Sequence, residues 1–149
     1  MPNWCNNRLT VTGPKLTVNR FENAACGSDP SWDTGSKTEN EPEIFNFHSL
    51  VPIPARILAL GFDPAGYEWC VANWGTKWGA SDPILDDKWD GQLDYSFDTA
   101  WSPPIEFLTA LGKKWPKLTF VLEYTEGGMG FKGLCKVKGN TVEDHCIDL

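Results

Sequence analysis

Eight tryptophans in a chain of 149 residues are the feature of this sequence with the greatest chemical potential. Half of them stand in three short motifs that also hold amides and one lysine. If the motifs meet in the fold, indole planes can stack a flat base while the amides and ammonium bind its edge. The candidate ligand-binding residues are Trp4, Asn6, Asn73, Trp74, Lys77, Trp78 and Trp101. The simpler interpretation is that the tryptophans fill one end of the core and the asparagines satisfy turn backbone.

An acidic run between residues 82 and 98 is the second candidate site. Its only basic residue is Lys88, and its aspartates are Asp82, Asp86, Asp87, Asp90, Asp94 and Asp98. Such a density of negative charge favours a protein partner with a basic surface. The alternative is an ordinary solvated loop and strand face whose charges prevent aggregation at a sheet edge.

Catalytic and metal-binding residues lack the spacing that such sites need. The Gly-Thr-Lys run at 75–77 has no upstream glycine at the interval of a phosphate-binding loop. The two histidines, His48 and His145, belong to no zinc or nucleophile motif. Glu123 and Glu126 most simply face water, although paired carboxylates can do acid–base work. The sequence therefore predicts a non-enzymatic protein with no cofactor and no metal.

Composition and charge narrow the class of protein. The 41% of hydrophobic residues suits one globular domain spanning residues 1–149. A net charge of −7 argues against direct binding to nucleic acid or to an anionic membrane. Five widely spaced cysteines and a start without signal-peptide character predict free thiols and a cytoplasmic location.

Hydrophobic periodicity and breaker residues predict the elements that must position these side chains. Alternating patterns predict strands over residues 7–13, 44–47, 93–99, 118–124 and 131–138. Helical spacing predicts helices over residues 15–26, 55–60 and 67–74 and from Pro103 to Trp115.

This order of elements predicts an α+β ferredoxin-like sandwich. It comprises an antiparallel sheet of four to five strands with two main helices on one face. Residues 27–42 are predicted to be a polar loop, and residues 51–89 a helical or loop insertion.

Four motifs add a family resemblance that covers nearly the whole chain. They are MPNWCNN at 1–7, NWGTKW at 73–78, TAWSPP at 99–104 and YTEGGMGFKG at 124–133. In order and spacing they resemble the YubB-type ferredoxin-like domain family of plasmid- and phage-encoded proteins, whose function is uncharacterised. The resemblance implies a ferredoxin-like fold and a mobile genetic element within a bacterium. It brings no catalytic residue with it.

The favoured hypothesis is a non-enzymatic binding module from a phage or plasmid. It would antagonise or modulate a host protein with a basic surface, such as a defence nuclease, through an acidic, tryptophan-rich surface. The alternative is a protein that binds or sequesters a nucleotide-type small molecule in a tryptophan-lined pocket. An enzyme is a third hypothesis, because residues distant in sequence can meet in space.

Overall fold

A computed structural model describes residues 2–32 and 41–149. The strands are β1 (Trp4–Thr12), β2 (Ser81–Trp89), β3 (Gln92–Ala100), β4 (Thr119–Glu126), β5 (Phe131–Lys138) and β6 (Thr141–Asp148). The helices are α1 (Lys15–Ala25), α2 (Phe47–Leu50), α3 (Ala55–Leu60), α4 (Tyr67–Trp74) and α5 (Ile105–Lys114). A π-type turn over Phe62–Gly66 joins α3 to α4. Within the described residues, no helix has both the length and the apolar character needed to cross a bilayer.

The six strands form one antiparallel sheet in the order β2-β3-β1-β4-β5-β6. The first four of these, with α1 after β1 and α5 after β3, make the βαββαβ arrangement of a ferredoxin-like fold. Strands β5 and β6 extend the sheet by two hairpins beyond β4. The predicted fold class is confirmed, whereas the prediction of four to five strands is wrong, since the sheet has six.

One face of the sheet is buried against helices. Leu9 and Val11 of β1 are fully buried on this face, and Phe21 of α1 packs edge-on against Phe120 of β4 with ring centroids 5.5 Å apart. Gly112 brings α5 close to β5, because a Cβ there would lie 2.5 Å from Val137 Cγ1. Helix α5 therefore depends on a glycine at its closest approach to the sheet.

The segment predicted as a strand over residues 44–47 is instead a bend that leads into α2, so this prediction is wrong. Phe45 and Phe47 are both buried, and their spacing of two residues is the same as that of buried residues in a strand. Phe47 stacks on Phe107 at 3.8 Å. Asn46 starts the helix, because its Oδ1 accepts a hydrogen bond from Ser49 N at 2.9 Å.

Strands β2 and β6 were not predicted: β2 fell in the proposed insertion and β6 in the C-terminal tail. Both are edge strands with little burial, so neither carries the alternation on which strand prediction depends. In the predicted polar loop 27–42, residues 33–40 lie outside the described residues. The loop's start is tied to its end by the Gly27–Glu43 bridge.

Candidate functional site

Three of the sequence motifs meet at one end of the sheet, where β1 starts and β3 ends. The Trp101 N–H donates to the Asn3 carbonyl at 2.8 Å, which ties the end of β3 to the start of β1. Ser102 Oγ donates to the Gly75 carbonyl at 2.7 Å and ties in the loop after α4. The rings of Trp4 and Trp78 lie 6.3 Å apart.

Next to this junction, on the helical side of the sheet, lies a pocket of about 250 Å³. We call it the tryptophan pocket. It is lined by Asp29, Trp32, Phe62, Trp74, Lys77 and Trp78, together with Pro30, Ile53, Cys70 and Gly79. Three of the seven predicted ligand-binding residues, Trp74, Lys77 and Trp78, therefore line one cavity.

Trp74 forms a fixed wall of the tryptophan pocket. Its side chain is only 4% exposed, and its Nε1 donates to the Val51 carbonyl at 3.0 Å. Its ring packs edge-on against Phe47 at 5.4 Å and Trp69 at 5.6 Å. Most of the Trp74 indole is therefore packed in the core, and one part of it borders the cavity. Helix α4 ends directly after Trp74 because Gly75 adopts the left-handed conformation of a C-cap.

Trp32 and Phe62 line the tryptophan pocket and were not predicted. Their rings meet edge to face at 5.4 Å. Gly66 makes room for the Trp32 indole, because a Cβ at that position would lie 2.5 Å from the nearest ring atom. No local pattern connects residues 32, 62 and 66, so only the tertiary fold reveals this wall.

Opposite charges lie among the pocket residues. Lys77 Nζ stands 4.2 Å from the centroid of the Trp78 ring, a cation–π contact. Asp29 Oδ1 accepts a hydrogen bond from Asn46 Nδ2 at 2.8 Å, and Asn46 is itself buried. The α2 N-cap residue therefore also holds a pocket carboxylate.

Cys70 adds a neutral wall to the pocket. Burial raises the pKa of this thiol to about 12, so it stays protonated at neutral pH. Burial likewise raises the pKa values of Cys5 and Cys135 to about 12. A protonated thiol is a poor nucleophile, so these three cysteines act as small apolar side chains.

The other four predicted ligand residues lie outside the pocket lining. Trp4 touches Trp78 from the sheet end, and Trp101 is 44% exposed with a φ of 69°. Asn73 Nδ2 bonds back to the Trp69 carbonyl on α4. Asn6 projects from the opposite face of the sheet and donates to Asp98 at 2.7 Å.

All six aspartates of the acidic run lie on the β2–β3 hairpin or its turn. Asp87 and Asp94 stand directly opposite each other across the two strands, an arrangement that costs stability. The Ser96 hydroxyl donates to Asp86, and Asp90 in the turn lies 3.5 Å from Lys15 Nζ. The remaining two, Asp82 and Asp98, occupy the other end of the hairpin.

Residues 2–32 and 41–149 contain no candidate metal site, because no three histidine, cysteine, aspartate or glutamate side chains converge there. Glu126 is fully buried, yet its two carboxylate oxygens accept the backbone N–H groups of Gly128 and Met129 at 2.8 and 2.7 Å. This carboxylate holds the β4–β5 turn. The Tyr95 hydroxyl is buried without a hydrogen-bond partner among the described residues.

Comparison with known proteins places the chain in a family. A family model described as "Ferredoxin-like domain in Api92-like protein" matches residues 72–148, slightly more than half of the chain. The crystal structure of a protein api92 from Yersinia pseudotuberculosis aligns with a TM-score of 0.75 over 100% of this chain and 98% of that one. Sequence identity is 11%, so this likeness concerns the fold alone. A search of curated proteins gives no significant match. The chain belongs to the family of ferredoxin-like domains found in Api92-like proteins.

Proposed function

We propose that this protein is a non-enzymatic binding module that holds a nucleotide-type small molecule in the tryptophan pocket. The carrying observation is the convergence of Trp32, Trp74 and Trp78 around about 250 Å³ of space. A cavity of about 150 Å³ admits benzene, so this one has room for a planar ring system of two fused rings. Aromatic walls with a few polar groups are the usual composition of small-molecule sites.

The polar groups of the pocket narrow the class of ligand. Lys77 supplies a positive charge for an anionic group such as a phosphate. Asp29 supplies carboxylate oxygens, which accept hydrogen bonds from an amino group on a ring edge. A flat ring, an amino group and an anionic group occur together in adenine, guanine and cytosine nucleotides.

Preorganisation supports binding without a large conformational cost. Trp74 is held by its hydrogen bond to Val51 and by two edge-on aromatic contacts. Asn46 holds Asp29 in the same way. Side chains that are ordered before binding lose little further entropy when the ligand arrives.

The resemblance to YubB-type proteins motivates the biological setting of the proposal. We place the protein in the cytoplasm of a bacterium, encoded by a phage or plasmid. A module that sequesters a signalling nucleotide would there act against a host defence pathway.

The test is a titration of the purified protein with mononucleotides and cyclic dinucleotides, followed by tryptophan fluorescence and calorimetry. Lys77→Met removes the charge and keeps the side-chain length, and Lys113→Met on the exposed end of α5 is the matched control. We expect saturable quenching by at least one compound, with Kd raised about tenfold, or ~1.4 kcal/mol, by Lys77→Met alone. Equal affinity for both variants, or an absence of quenching across the panel, would contradict the proposal.

A second candidate function is the binding of a basic host protein by the β2–β3 hairpin. The supporting observation is that Ile84 and Trp89 remain 56% and 53% exposed beside the cross-strand pair Asp87 and Asp94. An exposed tryptophan ringed by polar residues is typical of an interface anchor. Retention of a like-charge pair at a cost in stability also favours a role in binding.

The hairpin function is tested by capture and identification of a host protein. The variant changes the aspartates at 86, 87, 90, 94 and 98 to asparagine. The control neutralises five exposed carboxylates elsewhere, namely Glu41, Asp63, Glu68, Glu143 and Asp148. We expect a basic protein that the control retains and the hairpin variant loses. Full retention by the hairpin variant would refute this second function.

A further inference from the structure

The open face of the sheet, which is the face opposite the helices, carries charges in a regular order. Hydrogen-bond register aligns its side chains in rows that run across β3, β1, β4 and β5. Two of these rows are Asp98, Asn6, Thr125, Lys132 and Asp94, Thr10, Val121, Lys136. The row between them is Ser96, Arg8, Glu123, Leu134. The first two rows therefore both have an acid on β3 and a base on β5. The next row, Gln92, Thr12, Thr119, Lys138, has an amide on β3, and Glu143 on β6 continues the Asp94 row.

The aspartates of β3 and the lysines of β5 are too far apart to form ion pairs within a single copy. Strands β3 and β5 are separated by three strand spacings, or about 14 Å, which exceeds both ion-pair distance and the screening length of about 8 Å at physiological salt. Among the described residues, Arg8, Lys132 and Lys136 form no ion pair. The open face thus presents aspartates on β3 and lysines on β5 that do not pair with each other, while Glu143 on β6 stands directly opposite Lys136 and Glu123 on β4 stands directly opposite Arg8.

We propose that two copies of this chain pack through their open faces as a two-fold symmetric dimer. The two-fold axis runs parallel to the strands and passes between β1 and β4. Rotation about it places β3 of one copy opposite β5 of the other, and each row faces the same row of the partner subunit. Asp98 then faces Lys132 of the partner subunit, and Asp94 faces Lys136 of the partner subunit. In the middle row, Arg8 faces Glu123 of the partner subunit. Symmetry repeats each of these three pairs, as in any isologous interface.

The size of the face is adequate for such a contact. Six strands of about eight residues cover roughly 29 Å by 27 Å, or about 780 Å², at ordinary strand spacings. A standard specific interface covers about 800 Å² on each partner. Leu134, which is 42% exposed, adds an apolar contact near the centre.

One opposition is unfavourable and limits the strength of the dimer. The axis brings Asp87 on β2 over Glu143 of the partner subunit, at the rim where salt screens the repulsion. Most of the remaining complementarity is ionic, so the dimer is expected to weaken strongly as ionic strength rises. A basic host protein would compete for the same aspartates, whereas the tryptophan pocket lies on the other side of the sheet.

Sedimentation velocity on charge-reversed variants tests the dimer. One variant is K132E/K136E and the other is D94K/D98K, and K113E/K117E on the helical side is the control. In about 50 mM salt we expect dimers from the wild type and the control, and monomers from each reversed variant alone. Mixing the two reversed variants should restore a heterodimer, because the reversed charges of each variant then face those of the other.

Circular dichroism of each variant separates loss of the dimer from loss of the fold. A wild-type protein that stays monomeric at about 300 μM, where a dimer with micromolar Kd is nearly complete, would overturn the inference. The inference would equally fall if two folded variants did not associate on mixing, or if reversal left the dimer intact.

Discussion

Gly66→Ala is the substitution that most selectively tests the tryptophan pocket. Gly66 lies in a helical conformation with φ −65° and ψ −43°, so alanine meets no backbone strain there. The added Cβ would lie 2.5 and 2.6 Å from two atoms of the Trp32 ring. Real carbon contacts are about 3.5–4.0 Å, so the indole has to move by about 1 Å or more. That movement displaces one aromatic wall of the pocket without touching Lys77 or Asp29.

The cost to stability should be small while the cost to binding is large. Overpacking costs about 1–3 kcal/mol, and the higher helix propensity of alanine returns up to about 1 kcal/mol. We therefore expect the free energy of unfolding to fall by about 1 kcal/mol. Loss of base stacking on one indole is worth about 1–3 kcal/mol, which raises Kd for a bound nucleotide by a factor of about 5 to 150.

The assay compares Gly66→Ala with Gly127→Ala. Gly127 has open space around its Cβ position, so the same chemical change there has no neighbour to displace. Urea unfolding gives the stability of each variant, and tryptophan fluorescence titration gives its affinity. Unchanged affinity in a Gly66→Ala protein whose Trp32 environment has demonstrably shifted would refute the role of this wall.

Three further predictions concern stability. Tyr95→Phe should raise the free energy of unfolding by about 1 kcal/mol in urea titrations, because it removes a buried hydroxyl that has no partner among the described residues; a loss of stability would show that the hydroxyl is satisfied. Gly112→Ala should lower the free energy of unfolding by about 2 kcal/mol, because its Cβ would lie 2.6 Å from the Gly139 carbonyl oxygen as well as near β5; wild-type stability would contradict the close packing of α5. Burial lowers the pKa of His48 below 6.5, with Asp29 opposing, so just below pH 6.5 this imidazole binds a proton more readily in the unfolded chain than in the folded one. The free energy of unfolding should therefore fall as pH drops from 6.5 towards the folded-state pKa. Urea unfolding measured at several pH values in that range checks this, and the dependence should be absent in His48→Gln.

Several of the elements predicted from sequence have one-sided burial, whereas α3, which buries no residue, was predicted from Pro54 before it and Gly61 after it. Strands β3 and β4 bury every second residue, and α5 buries one stripe, so periodicity identified all three. Strand β6 is exposed along its whole length and leaves no alternation to read. Strand β2 contains Pro83 and shifts register twice, which hides it in the same way.

Pocket residues that lie close together in the sequence were predicted, whereas pocket residues that only the tertiary fold brings together were missed. Lys77 and Trp78 follow α4 closely enough for one motif to reveal them. Trp32 reaches the pocket only because Gly66, from another element, admits its ring. Asn6 was grouped with the tryptophans because it stands two residues after Trp4 in the first motif. Within β1 it lies between the buried Cys5 and Asn7, so its side chain is on the open face of the sheet.

Native mass spectrometry tests the central claim most directly. Wild-type protein and Lys77→Met would be incubated with a nucleotide extract of bacterial cells, desalted and measured under identical conditions. We predict that the wild type retains an adduct whose mass matches a nucleotide and that Lys77→Met retains much less of it. A wild-type protein without any adduct, or an equal adduct on both proteins, would contradict the assignment of the tryptophan pocket as a nucleotide site.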